Sequence, residues 1–224
     1  MDITKHTRSL FAATMLALGV LIAGVALTAC GSGDDSSSGA QNATAGNGID
    51  RAFIADMIPH HQSAVQMAKI ARRRGASTFV KDLAEDITRT QNAEIEIMRG
   101  VASRLDAAGI KATSLGIAEH EMGMDADLSE LRTADPFDKA FIDIMVPHHQ
   151  GAIRMARVEL AKGAEAKAKQ LATAIIDAQT REINAMNKHR TEAFGAPSPA
   201  GGVPAETDAK GKTMDDTTTS MDHN

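Results

Sequence analysis

Apolar residues recur at intervals of three and four in four stretches between residues 50 and 193, which is the period of an amphipathic helix. Ala, Met, Leu, Glu, Lys, Arg and Gln predominate there, and all of them favour helices. Asp50 and Asp138 suit helix starts, whereas Gly75 and Gly163 suit helix ends. The pattern therefore predicts four helices. Their approximate bounds are 50–74, 77–105, 138–162 and 165–193.

The second pair of predicted helices repeats the first pair. Residues 50–98 align without a gap with residues 138–186, which lie 88 positions later. One αα-hairpin cannot bury its apolar face alone, so two copies pack together. We predict an all-α fold, a ferritin-like four-helix bundle made of two duplicated αα-hairpins. Identical pairs include Phe53/Phe141, Met57/Met145, His60/His148, His61/His149, Gln62/Gln150, Gln91/Gln179, Glu94/Glu182 and Met98/Met186.

A long connection, at about residues 108–136, joins the two predicted hairpins. Its length lets it travel along a whole helix, which permits the crossover found in ferritin-like bundles. Residues 125–132 have the pattern of a short helix within this connection. The duplicated domain as a whole is predicted to span residues 49–194.

The start of the chain has the order of a secretory signal peptide. Lys5 and Arg8 precede an almost wholly apolar run, and small residues follow it. Residues 27–30, Leu-Thr-Ala-Cys, resemble the bacterial lipobox, after which Cys30 is lipidated. The alternative is a plain signal peptide with an incidental cysteine. We predict a lipoprotein signal peptide over residues 1–29 and an acyl anchor to the extracytoplasmic face of a bacterial membrane, in the cell envelope or periplasm.

Two segments that flank the domain have too few apolar residues to form a core. Residues 30–48 are predicted to be the lipidated cysteine and a flexible tether, because Gly, Ser, Ala, Asn and Asp dominate them. The composition of residues 195–224 predicts a disordered tail that carries methionine and histidine. Cys30 is the only cysteine, which excludes an intramolecular disulfide and a cysteine-based metal site.

The charge balance gives no reason to expect nucleic acid as a partner. The chain has 24 basic and 29 acidic residues, a net charge of −5. Without the predicted leader the balance is 22 against 28, a net charge of −6. No basic patch stands out, and aromatic residues that could stack on bases are only 3% of the chain.

The histidine pair of each repeat flanks the predicted inward face of the first helix. At about 100° per residue, His60 and His61 fall with Met57 and Met67 in an arc of about 120°. On the second helix Glu94 shares the core stripe, and a buried carboxylate needs a partner, for which the facing histidines are the expected choice. The candidate ligands in both repeats are Met57, His60, His61, Met67, Glu94, Met98, Met145, His148, His149, Met155, Glu182 and Met186.

A structural interpretation of these residues is also open. Buried histidines are often only hydrogen-bonded core residues, and methionine at helical spacing usually fills gaps. Further methionines and histidines lie in segments where no core is predicted, which favours a metal. His120, Met122 and Met124 in the connection are added as candidate ligands, and the tail carries Met214, Met221 and His223.

The ligand chemistry favours copper. Thioether and imidazole donors without thiolate suit copper, especially Cu(I), and by analogy silver, whereas zinc prefers imidazole with carboxylate or thiolate. A ferritin-type di-iron oxidase would need Glu-x-x-His, which is absent from the chain. No catalytic signature is visible, so we predict a copper ion as the only cofactor and no enzymatic activity.

The duplicated motif resembles the bacterial family named domain of unknown function 305. The resemblance rests on Asp, Phe, Met-Ile/Val-Pro-His-His-Gln, Met-Ala and then Gln-x-x-Glu-Ile with Met, over about residues 50–190. It implies a ferritin-like four-helix domain that is usually exported, with some members implicated in periplasmic copper binding and resistance. It also implies that the twelve candidate ligands of the two repeats, from Met57 to Met186, are the family's motif residues. The order His120-Glu121-Met122-Gly123-Met124 departs from the His-Gly-Met-Met-like connection of many members.

Two classes of function follow from these observations. The first is a lipid-anchored extracytoplasmic protein that sequesters or hands on copper without catalysis. The second is a helical interaction or stress module of the cell envelope, in which the His–Glu pairs only stabilise the bundle. The predicted partners are the membrane, through the lipid anchor, and a metal ion, with a homodimer or a metal-delivery protein as further alternatives.

Overall fold

The computed structural model describes residues 45–206, and within this range the chain forms four long helices and one short helix. In chain order they are α1 (Gly48–Arg74), α2 (Thr78–Ala107), α3 (Leu128–Thr133), α4 (Phe137–Lys162) and α5 (Ala166–Phe194), with a 3₁₀ turn at Glu119–Glu121. The described residues contain no strand. The predicted all-α fold with two hairpins is confirmed, and each long helix lies within two residues of its predicted bounds.

The start of α1 is fixed by a reciprocal cap. The side chain of Asn47 accepts hydrogen bonds from the backbone N–H groups of Ile49 and Asp50, and the carboxylate of Asp50 accepts the N–H of Asn47. This capping box satisfies N–H groups that have no partner inside the helix. No helix among residues 45–206 combines the length and the apolarity that crossing a membrane requires.

The two hairpins hold each other through their first aspartates. Asp50 on α1 accepts the N–H groups of Ala164 and Glu165, at the turn between α4 and α5, at 2.8 Å each. Asp138 on α4 accepts those of Ala76 and Ser77, at the turn between α1 and α2, also at 2.8 Å. The sequence marked both aspartates only as helix starts. Each one also accepts two hydrogen bonds from the turn between the helices of the other repeat.

The buried apolar residues form two clusters, one toward each end of the bundle. Along α1 the chain passes from one cluster to the other between Met57 and Ala64. Along α4 it passes in the opposite order between Val146 and Ala152, so α1 and α4 are antiparallel. The connection before α4 contacts first one cluster and then the other, which means that it travels along the bundle. The description as ferritin-like stays a prediction.

The first part of the predicted tail is attached to the bundle. Residues 195–206 lie against α4 and α5, where Arg190 donates to the carbonyl of Pro197 and Gln150 donates to the carbonyls of Ala200 and Gly202. Composition did not indicate this attachment, because the accepting groups are backbone carbonyls, which every residue supplies. The donors are side chains that are themselves buried on the helices.

Candidate metal centre

Four imidazole rings lie in contact with one another where α1 meets α4. The ring centroids of His60 and His148 are 3.7 Å apart, with an angle of 37° between the ring planes. His61 lies 6.2 Å from His60, and His149 lies 6.3 Å from His148. None of the four residues is more than 1% exposed. Each repeat therefore supplies one central ring, which meets the other repeat, and one outer ring.

Adjacent positions on a helix explain this division of roles. Neighbouring residues point about 100° apart, so two consecutive histidines can face two different neighbouring helices. In α1, His61 faces α2 of its own hairpin, while His60 faces α4 of the other hairpin. The same division holds for His149 and His148 in α4.

The outer histidines are paired with carboxylates, as predicted. His61 Nε2 lies 2.9 Å from Glu94 Oε2, and His149 Nε2 lies 2.6 Å from Glu182 Oε2. Because an ionised carboxylate only accepts hydrogen bonds, Nε2 carries a proton, and in the neutral form of the ring Nδ1 carries the lone pair. A metal-binding histidine is commonly oriented in this way by a carboxylate on its other nitrogen.

The central histidines differ from each other in their partners. His60 Nε2 lies 3.0 Å from the backbone carbonyl of Met122, to which it must donate, so its Nδ1 also carries a lone pair. Neither ring nitrogen of His148 makes a well-formed hydrogen bond, although a backbone group of His60 lies near enough to oppose part of the lowering of its pKa. The Nδ1 atoms of all four histidines are buried and lack a hydrogen-bond partner. Such atoms are costly in a folded protein unless something else binds them.

Burial keeps the central rings neutral. Burial, with repulsion from His61 and His149, lowers the pKa of His60 to about 3. Burial likewise holds the pKa of His148 well below its usual value, and the neighbouring histidines lower it further. Rings that stay unprotonated at neutral pH keep their lone pairs available to a metal ion.

The connection between the hairpins covers the central histidines. A Cβ on Gly151 of α4 would lie 1.9 Å from the carbonyl oxygen of Met122, and a Cβ on Gly123 would lie 2.5 Å from that of Pro147. Both glycines therefore permit a backbone contact that a larger residue would prevent. The equivalent of Gly151 in the first repeat is Ser63, so this close contact is specific to α4.

The predicted methionine ligands fall into two groups. Six of them are buried in the helices, three in each apolar cluster, and the histidine pairs lie between these clusters along α1 and α4. In the connection, Met122 packs partly buried against the core, while His120 and Met124 are exposed. Met57, Met98 and Met155 are in one cluster, and Met67, Met145 and Met186 are in the other. Cys30, Met214, Met221 and His223 lie outside the described residues.

The nitrogen and oxygen donors do not form a preassembled cage. Within residues 45–206, no group of three or more His, Cys, Asp or Glu side chains is arranged to hold a metal ion. A metal held between the imidazoles would therefore need thioether sulfur or another donor to complete its coordination.

Two buried glutamines were not among the predicted ligands. Gln91 and Gln179 are 3% and 2% exposed, one helical turn before Glu94 and Glu182. The side-chain oxygen of Gln91 and both polar side-chain atoms of Gln179 lack a hydrogen-bond partner. The available signal was their identity in both repeats, on the same face as the glutamates.

The fold and this polar interior define a class of small helical proteins, in which a duplicated αα-hairpin encloses paired histidines. The family described as Domain of unknown function (DUF305) matches residues 50–190, which is more than half of the chain. The protein belongs to this family.

Solved structures of similar proteins include several metal-bound forms. CopM in its Cu(I)-bound form is 33% identical, with 65% of this chain and 98% of that chain covered and a TM-score of 0.55. CopM in its Cu(II)-bound form is 32% identical, with 65% and 97% covered and a TM-score of 0.56. A Streptomyces coelicolor protein of the family, described as secreted, is 30% identical, with 67% and 95% covered and a TM-score of 0.56.

A viral protein shares a shorter segment. The uncharacterized protein L153 of Acanthamoeba polyphaga mimivirus is 44% identical over 50 residues, which is 22% of this chain. The shared segment spans 33% of the viral protein's length.

Proposed function

We propose that this protein binds copper ions outside the cytoplasm and sequesters or transfers them without catalysis. The observation that carries the proposal is the set of four buried Nδ1 atoms without hydrogen-bond partners. In the neutral form of these rings, the Nδ1 atoms of His60, His61 and His149 carry the lone pairs, because the other nitrogen of each ring donates to a carboxylate or a carbonyl. Buried lone pairs without donors are what a metal site requires before its ion arrives.

The donors around these rings select the metal. Six buried methionines flank the imidazoles, and no cysteine is among the described residues. Thioether with imidazole favours Cu(I), and imidazole with oxygen donors serves Cu(II). CopM, which is similar over most of its length, has been solved with Cu(I), Cu(II) and silver. This likeness supports copper as the cargo, with the twelve motif residues as candidate ligands.

The connection supplies a route for the ion. His120 and Met124 are exposed, and Met122, between them in the sequence, contacts the ring of His60 through its backbone carbonyl. Soft donors at the surface that lead to buried imidazoles suit capture followed by inward transfer. The exposed pair would meet the ion first.

One observation favours the alternative function, a helical interaction or stress module of the cell envelope. The histidine–glutamate bonds already satisfy one nitrogen of each outer ring, and no preassembled group of three nitrogen or oxygen donors lies in the described residues. A bundle that serves only as an interaction or stress module of the envelope would need nothing more. Metal titration with matched variants distinguishes the two functions.

We expect Met57→Leu combined with Met145→Leu to weaken Cu(I) and Ag(I) binding by at least about tenfold. Each substitution removes a thioether at nearly constant volume and costs less than about 1.5 kcal/mol of stability. Binding of Cu(I), Cu(II), Ag(I) and Zn(II) to residues 31–224 is measured by competition titration, and unfolding by thermal melts.

The matched control is Ile54→Leu with Ile142→Leu. These residues are a repeat-related pair, as fully buried as the two methionines and about one turn before them. The control should leave metal binding unchanged. If the methionine substitutions also leave metal affinity unchanged, the core thioethers serve packing only. The soft ligands to remove next are then Met122, Met124, Met214 and Met221. Unchanged binding after that removal would refute a thioether copper site.

We also propose that Cys30 carries the lipid that holds the protein at the extracytoplasmic face of the membrane. Cys30→Ser removes the sulfur that would be acylated, so the variant with its leader cleaved should move to the soluble fraction. Fractionation of cells that express either chain measures the change. Full membrane retention of the cleaved variant would contradict the lipid anchor.

A further inference from the structure

Unpartnered polar atoms are concentrated in one region of the described protein. Buried polar side-chain atoms elsewhere have an explanation: Asp143 and Arg190 form an ion pair at 2.6 Å, and Glu159 shares a hydrogen bond with Asp50. The remaining ones belong to residues of the two motifs. They are His60, His61, Gln91, His148, His149 and Gln179.

The glutamines need an explanation of their own. An amide buried without a hydrogen-bond partner costs about 1–3 kcal/mol, whereas a leucine of similar size would cost nothing there. The chain nevertheless places one such amide at the same position of each repeat. The oxygen of Gln91 and both polar atoms of Gln179 take part in no hydrogen bond of the fold, and neither residue was counted among the ligands above.

We infer that Gln91 and Gln179 are oxygen ligands through which the site accepts Cu(II) as well as Cu(I). The inference rests on the proposed function and specifies how that site distinguishes the two ions. Cu(I) takes imidazole nitrogen and thioether sulfur. Cu(II) takes the same imidazoles with amide oxygen, a donor that also occurs as an axial ligand in other protein copper sites.

The helix geometry places each amide beside the glutamate that binds an outer histidine. Residues three apart on a helix are neighbours at about 5–6 Å between Cβ atoms, so Gln91 lies next to Glu94, whose carboxylate binds His61. Gln179 has the same relation to Glu182 and His149. Each glutamine thus lies on the helix face that carries the carboxylate partner of its own repeat's outer histidine.

A Cu(II) site in this interior also needs a further oxygen donor. No three His, Cys, Asp or Glu side chains in the described part of the chain are arranged around a common metal position. Cu(II) prefers nitrogen and oxygen donors, and the thioethers are poor ligands for it. Among the fully buried side-chain oxygens beside the His–Glu pairs, the amide oxygens of Gln91 and Gln179 are the ones without a hydrogen-bond partner.

The test is Gln91→Leu combined with Gln179→Leu in residues 31–224. We expect Cu(II) affinity to fall by at least about tenfold, Ag(I) and Cu(I) affinity to change by less than about threefold, and the metal-free melting temperature to stay equal or rise. Gln66→Leu, at an exposed position of α1, is the control that should change none of these.

Three outcomes would overturn the inference. Unchanged Cu(II) affinity would show that the amides do not bind the ion. An equal loss for Cu(II) and Ag(I), with the fold intact, would show that they only position other ligands. A lower metal-free melting temperature with proportional loss of every metal would assign them to the fold. If the parent protein binds no copper at all, the proposed function itself fails, and the inference fails with it.

A second pair of substitutions keeps the test decisive if the leucine variant does not fold. Gln91→Met with Gln179→Met preserves length and replaces a hard oxygen donor by a soft sulfur donor. This variant should lose Cu(II) affinity and keep or gain Ag(I) affinity. A variant that still binds Cu(II) as tightly as the parent would contradict the assignment.

Discussion

Glu159→Gln should remove most of the pH dependence of stability between about pH 6.5 and pH 8, above the range in which His60 and His148 take up protons in the unfolded chain. Glu159 is fully buried on α4, and its carboxyl group hydrogen-bonds to the carboxylate of Asp50. Two carboxyl groups can share such a bond only if one of them is protonated. Burial, with the hydrogen bond and the charge of Asp50, raises the pKa of Glu159 to about 8, against the opposing effect of Lys169.

The direction of the effect follows from proton binding. In the unfolded chain this glutamate ionises near its ordinary pKa of 4.5, whereas the folded protein keeps the proton until about pH 8. At this carboxyl group the folded state therefore binds more protons in this window, and the contribution of Glu159 to stability falls as the pH rises through it. A shift of this size corresponds to roughly 5 kcal/mol across the window, with the loss complete above pH 8.

Asp50 contributes in a different range. Burial opposes its ionisation, but hydrogen bonds from Glu159 and from backbone N–H groups lower its pKa below 3.8. A lowered pKa stabilises the fold above the ordinary value and loses that contribution only as the pH falls further. Asp50 therefore does not mask the effect of Glu159 between pH 4.5 and pH 8.

Thermal melts at several pH values measure the difference. Between pH 6.5 and pH 8, where the buried histidines are largely neutral in both the folded and the unfolded chain, the parent protein should lose about 5 °C in melting temperature, while the glutamine variant, whose amide donates to Asp50 without titrating, should stay nearly level. Glu192→Gln, an exposed residue paired with Lys188, is the control. Parallel pH profiles for parent and Glu159→Gln would show that the carboxyl group carries no excess proton.

Repetition explains why much of the fold could be predicted. The period of the apolar residues and the 88-residue offset gave the helices and the two hairpins. The same period placed Glu94 and the histidines on facing stripes, and the pairing of Glu94 with His61 follows from that geometry. These features depend on one helix or on two neighbours joined by a short turn, and local sequence determines both.

The features that could not be predicted depend on contacts between distant parts of the chain. Helical angles place His60 and His148 on inward faces but do not reveal that the two rings meet at 3.7 Å. The bond from His60 to Met122 depends on the path of the connection, and its acceptor is a backbone carbonyl. Glu159 is not repeated, since Ala71 stands at the equivalent position of the first repeat. The duplication therefore could not predict the pairing of Glu159 with Asp50.

His148→Leu should abolish tight copper binding and leave the metal-free fold at least as stable. His148 is fully buried and neither of its nitrogens makes a well-formed hydrogen bond, so the apolar side chain removes an unsatisfied group that costs about 1–3 kcal/mol. Affinity should fall by about 100-fold or more, since removing a mere supporting partner of a ligand already costs about 10–100-fold. Competition titration and thermal melts of the same preparations measure both quantities.

The repeat supplies the matched comparison, His60→Leu. His60 occupies the equivalent position, but its Nε2 donates to the carbonyl of Met122, so its loss leaves that acceptor without a donor. We expect the His60 variant to lose copper affinity to a similar extent and also to melt below the His148 variant. A bundle whose histidines serve packing alone would give the opposite pattern, because His148→Leu would then lose the ring contact with His60 and affect stability without affecting copper. Unchanged copper affinity in both variants would show that the central imidazoles are not metal ligands.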